Sequence, residues 1–141
     1  MIFLYVKGSS AFTAIKVAVI AGTTNIRFSE VRLNTGNDYN RSTGVFTCRI
    51  PGHYWFSASI AKPESTDIDY VVCWIQINGV NTIYLYSDPL GDNRDGVKIT
   101  ASAAFHLSVR DTVQVGHCSN ADSIWSKEST HFSGILVKPD M

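Results

Sequence analysis

The stretch that decides the fold spans residues 26–56 and reads IRFSEVRLNTGNDYNRSTGVFTCRIPGHYWF. Its Thr-Gly pair at 43–44 and its Pro-Gly pair at 51–52 favour turns, and the run 45–50 between them is rich in branched and aromatic residues, which predicts a strand. After the second turn, residues 53–60 alternate between polar and apolar side chains. Period two predicts a half-buried strand, so the stretch is typical of antiparallel β structure.

The rest of the chain continues this pattern of short strands separated by turns. Residues 70–77 are almost unbroken apolar sequence, which predicts a central strand buried on both sides. Asn78-Gly79 follows it and is a strong hairpin signal. Further strands are predicted at 12–20, 82–86, 101–110, 113–115 and 132–137. No segment has a clear helical period, and many short strands with regular turns predict an all-β sandwich or jelly roll.

Composition and charge favour one globular domain. The 141 residues are 45% hydrophobic and 17% charged, which is enough apolar side chain for a core and too little charge for disorder. Twelve basic residues balance 12 acidic ones without clustering, which argues against nucleic acid or an anionic membrane as the main partner. No run approaches the roughly 20 apolar residues of a membrane span.

Seven positions in 26–56 resemble the signature of the C1q globular domain. That signature is Phe, five residues, Asn or Asp, four residues, an aromatic residue or Leu, six residues, Phe, five residues, then Gly-x-Tyr-x-Phe-x and a final aromatic residue. Only the final position departs from it, because Ala58 stands there. Inward aromatic residues and turn glycines are expected to carry the fold and not chemistry. The matching residues are Phe28, Asn34, Tyr39, Phe46, Gly52, Tyr54 and Phe56.

The resemblance covers about residues 11–141, which form the predicted C1q-like domain. Residues 1–10 are predicted to be an N-terminal extension or the remnant of one, and a short extra strand or packing arm is the alternative. The resemblance implies a ten-stranded jelly-roll β-sandwich assembled as a homotrimer, secreted and not an enzyme. Surplus aromatic residues also favour a closed symmetric assembly that would bury them. These are Trp55, Trp74, Tyr84, Tyr86, Phe105 and Trp125.

Two main functions follow from the resemblance, which includes short invertebrate-type C1q-domain proteins, and a structural matrix protein is a third alternative. The first is a lectin-like pattern-recognition module of innate immunity that binds carbohydrate or microbial surfaces. The second is a cytokine- or cerebellin-like trimeric ligand for a cell-surface receptor. Neither function requires nucleic acid as a partner or insertion into a membrane.

Catalytic and metal motifs are weak in this sequence. None of the four histidines has the spacing of a zinc site, and no Gly-x-Ser-x-Gly elbow is present. His53 and His106 fall on polar strand faces and are expected to be solvated. The sequence therefore gives no reason to predict an enzyme.

The three cysteines cannot all pair within one chain. Cys48 and Cys73 are predicted to be buried free thiols, which behave as small hydrophobes. In some proteins that resemble this one, a cysteine at the position of Cys73 pairs with one near residues 84–86. This chain has none there, so that disulfide is expected to be absent, while a pair that involves Cys118 stays open.

The loop 87–96 is the most ligand-like segment. Asp88, Asp92 and Asp95 supply three carboxylates, and hard cations such as calcium prefer several oxygen ligands. Some domains that resemble this one bind calcium from the equivalent loop. The three aspartates are therefore the predicted calcium ligands, and an ordinary solvated polar loop is the alternative.

Four residues in and beside this loop are predicted to bind the ligand. Arg94 presents a fork of donors that suits a sugar acid, and Asn93 adds an amide. Tyr84 and Tyr86 on the preceding strand offer flat ring faces. A glycosylation sequon, Asn40-Arg41-Ser42, is also present, but chance alone predicts about one such triplet in a chain of this composition.

Overall fold

A computed structural model describes residues 8–62, 71–86, 97–124, 126 and 130–141. Within these residues the chain forms ten β-strands and one turn of 3-10 helix, Ala121–Ser123. None of the helical structure there is long and apolar enough to cross a membrane. The strands are β1 Ala11–Val19, β2 Ile26–Thr35, β3 Tyr39–Asn40, β4 Val45–Thr47, β5 Gly52–Lys62, β6 Val72–Ile77, β7 Val80–Tyr86, β8 Val97–Leu107, β9 Thr112–Ser119 and β10 His131–Pro139.

The strands form two antiparallel sheets of five strands each. The first sheet has the order β2-β1-β10-β5-β8, and the second sheet has the order β3-β4-β9-β6-β7. Strands distant in sequence lie side by side in both sheets, as in a jelly roll. The predicted all-β, ten-stranded jelly roll is therefore confirmed. β7 and β3 are the two edges of the second sheet, and β2 and β8 are the edges of the first.

Aromatic rings fill the space between the sheets. Phe12 stacks on Tyr39 with ring centroids 4.8 Å apart, and Phe132 meets the edge of Phe12 at 4.9 Å. Ala58, where the signature has an aromatic residue, is fully buried opposite Phe132. The departure therefore leaves the aromatic core intact. The five signature aromatics, Phe28, Tyr39, Phe46, Tyr54 and Phe56, are all buried, as the fold interpretation predicts.

Gly52 of the signature serves close packing and not a turn conformation. A Cβ at this position would meet the carbonyl oxygen of Lys138 and lie 2.8 Å from Pro139 Cα, both on β10. By contrast, Asn78 and Gly79 have φ angles of 52° and 77°, as a tight hairpin turn between twisted strands requires. The predicted hairpin is thus confirmed, and it joins β6 to β7.

Strict alternation along β1 predicts that Ile15 and Val17 share one face, but the strand is irregular between them. Lys16 has a φ of 63°, outside the range of an extended strand. An irregular residue of this kind moves the following side chains to the other face of the strand. Val17 consequently packs against the same core as Phe12.

The prediction that Cys73 is a free thiol is wrong. Cys73 on β6 forms a disulfide with Cys118 on the neighbouring strand β9, with Cα atoms 4.1 Å apart. Cys48 is free and buried, as predicted, and its thiol donates to the carbonyl oxygen of Ile50 at 3.3 Å. Burial raises the pKa of the Cys48 thiol, so this group stays neutral.

The hydroxyl of Tyr39 bridges the two sheets at one edge of the sandwich. It accepts a hydrogen bond from Phe28 N and donates one to Phe28 O, both at 2.9 Å. Burial raises the pKa of Tyr39 to about 12. Since unfolded tyrosine ionises near pH 10, Tyr39 contributes its full stability below about pH 10 and loses it as the pH rises through 12.

Tyr39→Phe is expected to lower the free energy of unfolding by about 1–3 kcal/mol at neutral pH, because two buried backbone groups lose their partner. The variant should also lose stability less steeply between pH 10 and 12. Part of the loss of stability between pH 10 and 12 should remain in this variant, because burial also raises the pKa of Tyr54. Urea unfolding across this pH range measures both effects, with exposed Tyr84→Phe as the control. Equal stability of Tyr39→Phe and wild type would contradict the bridging role.

Candidate functional site

Three aromatic side chains form an exposed ladder on the outer face of the second sheet. We call Trp74, Tyr84 and Tyr86 the aromatic platform. Trp74 and Tyr84 are cross-strand partners whose ring centroids lie 4.4 Å apart, and the rings of Tyr84 and Tyr86 are parallel within 1° at 5.2 Å. Tyr84 is 49% exposed and Tyr86 is 39% exposed. The structure thus brings both predicted tyrosines together with a tryptophan.

The platform follows from alternation along the edge strand β7. Leu85 and Ile83 turn inward and pack in the core, which leaves the tyrosines on the outer face. An exposed edge strand with large apolar side chains is a surface that proteins ordinarily cover. The platform is therefore a candidate binding surface.

A chain of polar side chains lies beside the platform, and the sequence analysis missed it. We call Gln76, Asn81, Gln114 and His117 the amide network. Gln114 Nε2 donates to Gln76 Oε1 at 3.1 Å, and Gln76 Nε2 donates to Asn81 Oδ1 at 2.9 Å. Asn81 Nδ2 lies 2.7 Å from His117 Nδ1. With the amides oriented as assigned here, Asn81 Nδ2 donates and His117 Nδ1 accepts.

A bulge aligns the network with the platform. Register between β6 and β7 shifts between Ile75 and Gln76, so that Asn81 faces Gln76 while Tyr84 faces Trp74. Three-residue spacing would otherwise place Asn81 and Tyr84 on opposite faces of β7. The one sequence signal for the network is Gln76, the single polar residue within the apolar run 71–77.

The remaining predicted site residues lie outside the described residues. These are the calcium ligands Asp88, Asp92 and Asp95 and the ligand-binding residues Asn93 and Arg94. They belong to the segment 87–96, which follows Tyr86 directly in the chain. Within the residues that the structure describes, no group of three or more His, Cys, Asp or Glu side chains is arranged to hold a metal ion.

A second exposed surface covers the outer face of the first sheet. We call Leu33, Trp55, Ile135 and Val137 the apolar face, and these side chains are 46–66% exposed. Ile135 pairs with Trp55 in register, which makes the surface continuous from β10 to β5. A shallow depression of about 240 Å³ lies between Leu33, Trp55 and Ile135. Such a contiguous apolar surface marks an interface in most soluble proteins.

Two histidines border the apolar face. His53 on β5 and His106 on β8 pair in register, and their rings lie 5.5 Å apart. Both are exposed, as the sequence predicts. His106 Nε2 also lies 2.9 Å from Asp140 Oδ2, near the end of the chain. A polar rim around an apolar centre is typical of protein interfaces.

The six aromatic residues that the sequence marks as surplus have different environments. Trp55, Tyr84 and Tyr86 are exposed, and Trp74 is half-buried within the platform. Phe105 packs against the core, 6.2 Å from the ring of Phe56, and is not surplus. Trp125 lies outside the part of the chain that the structure describes.

Comparison with known proteins gives consistent matches over nearly the whole chain. The family model described as C1q domain matches residues 11–137. The Collagen alpha-1(X) chain of Mus musculus is 34% identical over 137 residues, an alignment that covers 92% of this chain and 19% of that protein. The chain therefore spans about a fifth of the length of this curated relative.

Two solved structures share the fold at low sequence identity. The globular domain of zebrafish complement 1qA superposes with a TM-score of 0.66 at 15% identity, covering 94% of this chain and 99% of that one. Murine APRIL at pH 5.0 superposes with a TM-score of 0.69 at 10% identity, covering 92% and 99%. At such identity both similarities concern the fold alone.

Proposed function

The chain belongs to the C1q domain family, and from this premise we propose that it is a secreted, homotrimeric recognition module that binds carbohydrate on microbial or mucin-like surfaces. The aromatic platform is the observation that carries the proposal. The stacked rings of Trp74, Tyr84 and Tyr86 leave part of their apolar surface exposed to solvent, and such aromatic surface packs against the C–H groups of a pyranose ring. A tyrosine hydroxyl group can add a polar contact to such packing.

The amide network supplies the polar half of the proposed site. Sugar recognition needs planar donors and acceptors at fixed positions, and the amides of Asn81 and Gln114 fit that need. Gln76 is buried and links these two amides. His117 accepts at Nδ1, so its Nε2 carries the proton and is a donor for a sugar hydroxyl. Aromatic faces beside amides are a combination suited to neutral and acidic sugars alike.

The segment after Tyr86 completes the proposal. Arg94 is proposed to pair with the carboxylate of a sialic or uronic acid, and Asn93 to bind a hydroxyl. Asp88, Asp92 and Asp95 are proposed to hold calcium, which would offer further coordination to the ligand. The Cys73–Cys118 disulfide supports an oxidising, extracellular compartment.

The apolar face supports self-association. Trp55, Ile135 and their neighbours lie on the first sheet, on the opposite side of the sandwich from the aromatic platform. A homotrimer that covers this face would leave three aromatic platforms accessible. Trivalency can raise avidity by roughly 10²–10⁴ on a multivalent surface, which makes weak single sites sufficient.

A second candidate function is a trimeric ligand for a cell-surface receptor. The observation that favours it is the composition of the platform, because exposed Trp and Tyr are also typical of the centres of protein interfaces. Binding of one cell-surface protein at nanomolar affinity, with no binding to any glycan surface, would replace the carbohydrate proposal by this one.

Tyr84→Ala and Tyr86→Ala are each expected to weaken glycan binding about three- to tenfold per site, because each removes one ring face. The Phe variants at both positions should bind nearly as wild type does. Binding to a glycan array and to whole bacteria measures the effect, after light scattering has verified an unchanged assembly. Val80→Ala, on the same strand and 64% exposed, is the matched control. Unchanged binding of both Ala variants would exclude the platform as the sugar site.

Arg94→Ala should abolish binding to sialylated or uronate-bearing surfaces while sparing neutral glycans.

Calcium, if bound, should have a dissociation constant on the order of 0.1–1 mM and raise the melting temperature, since it relieves repulsion among three carboxylates. Asp92→Ala should abolish this rise, and Asp122→Ala, an aspartate in the 3-10 turn, should retain it. No thermal shift at millimolar calcium would make the segment an ordinary polar loop.

A further inference from the structure

The sequon Asn40-Arg41-Ser42 lies at a distinctive place in the sandwich. Asn40 ends β3, the edge strand of the second sheet opposite β7. All three residues of the sequon are exposed. The position therefore lies far from the aromatic platform, which is near the other edge of that sheet, and beside β2 at the edge of the first sheet.

The side-chain amide of Asn40 is oriented with its nitrogen free. The backbone N–H of Ser42 donates to Asn40 Oδ1 at 2.8 Å, and this bond identifies the oxygen and hence the nitrogen of the amide. Among the described residues, Asn40 Nδ2 has no hydrogen-bond partner. By contrast, the side-chain nitrogen of Asn34 has a partner, because Asn34 Nδ2 donates to the carbonyl oxygen of Tyr39 at 2.7 Å.

A groove adjoins Asn40 and has room for a sugar. Asn34, Tyr39, Asn40 and Arg41 line it together with Val31 on β2, and its volume is about 440 Å³. Sites for small organic ligands usually measure about 300–1,000 Å³. The groove combines one apolar side chain with amides and a guanidinium, which suits an N-acetylated sugar.

From this placement we propose that Asn40 is N-glycosylated and that the first sugar lies in the groove beside Val31. A lipid-pyrophosphate-linked oligosaccharide is the donor. Asn40 Nδ2 forms the bond to sugar C1, the C1–O bond to the pyrophosphate breaks with its electron pair, and the amide gives up one proton to the transferase. The inference rests on the extracellular location in the proposed function and on no part of its glycan-binding site.

The test of the modification is secretion from eukaryotic cells behind a supplied leader, followed by intact mass measurement. Wild type and Ser42→Thr should carry a mass that peptide-N-glycosidase F removes. Asn40→Gln and Ser42→Ala should lack it, and Ser42→Ala is the sharper control because it keeps Asn40. Secretion of both wild type and Ser42→Thr with unmodified mass would overturn the proposal. Because the leader is supplied and no ligand is used, failure of the glycan-binding function would not affect this result.

The test of the groove compares melting temperatures of the same secreted protein. When the protein is secreted from cells that retain high-mannose glycans, endoglycosidase H leaves one N-acetylglucosamine on Asn40. Peptide-N-glycosidase F instead removes all sugars and converts Asn40 to aspartate. The single-sugar form should melt as high as the fully glycosylated protein and above Asn40→Asp, the reference for the stripped form. Identical melting of the single-sugar form and Asn40→Asp would overturn the placement of the first sugar.

Discussion

Replacing both Cys73 and Cys118 with alanine is expected to lower the free energy of unfolding by about 4 kcal/mol. The bond closes a loop with a sequence separation of 45 residues, and most of the effect is the restored freedom of that loop in the unfolded chain. For a domain of this size the melting temperature should fall by roughly 10–20 °C. Chemical denaturation and calorimetry measure the two quantities.

Reductant provides the internal control for the disulfide. Wild type should lose stability when unfolded and refolded in reductant, and the double variant should not respond. Cys48→Ala removes a buried thiol outside the disulfide, so this variant should still respond to reductant. A double variant within about 1 kcal/mol of wild type would contradict a structural role for the bond.

The disulfide also marks the limit of what the sequence could predict. Alternation in residues 53–60 predicted which side chains of β5 face the core, because period two is a local property of one strand. Pairing of Cys73 with Cys118 depends on the register between β6 and β9, which shifts between Val72 and Trp74. No local pattern contains that information.

The sequence likewise predicted some residues of the candidate site and not others. Tyr84 and Tyr86 were predicted as a flat binding surface, because alternation places them on one face of their strand. The amide network was missed, since Gln76, Asn81 and Gln114 come from three strands and meet only through a bulge. The roles of Asp88, Asp92, Asn93, Arg94 and Asp95 stay predictions, because they rest on residue type and position alone.

Assembly connects the fold to the proposed function, because the apolar face is exposed among the described residues of one chain. Its exposed residues span two strands of the first sheet that pair directly, β10 and β5, and β2 extends the surface through Leu33. A trimer would remove this surface from water, at roughly 25 cal/mol per Å² of apolar area. A trimer would then present three aromatic platforms, one on the second sheet of each chain, to a multivalent surface.

Ile135→Glu is expected to convert the proposed trimer to a folded monomer, because a charge buried without a partner at the proposed interface costs several kcal/mol. Val80→Glu, at a more exposed apolar site on the second sheet, should leave the proposed trimer intact. Light scattering at micromolar concentration measures the assembly, and circular dichroism verifies that both variants fold.

The same pair of variants separates avidity from intrinsic affinity. For Ile135→Glu, binding to bacteria or mucin-like surfaces should fall by roughly 10²–10⁴, while affinity for a soluble oligosaccharide stays unchanged, because each aromatic platform is intact. Val80→Glu should retain both. A wild type that is monomeric at micromolar concentration would overturn the proposed trimer itself. An Ile135→Glu variant that remains trimeric would show that another surface controls assembly. If Ile135→Glu lost affinity for the soluble oligosaccharide as much as binding to the surfaces, the sugar site would instead lie at the apolar face. One substitution would then disrupt both assembly and sugar binding.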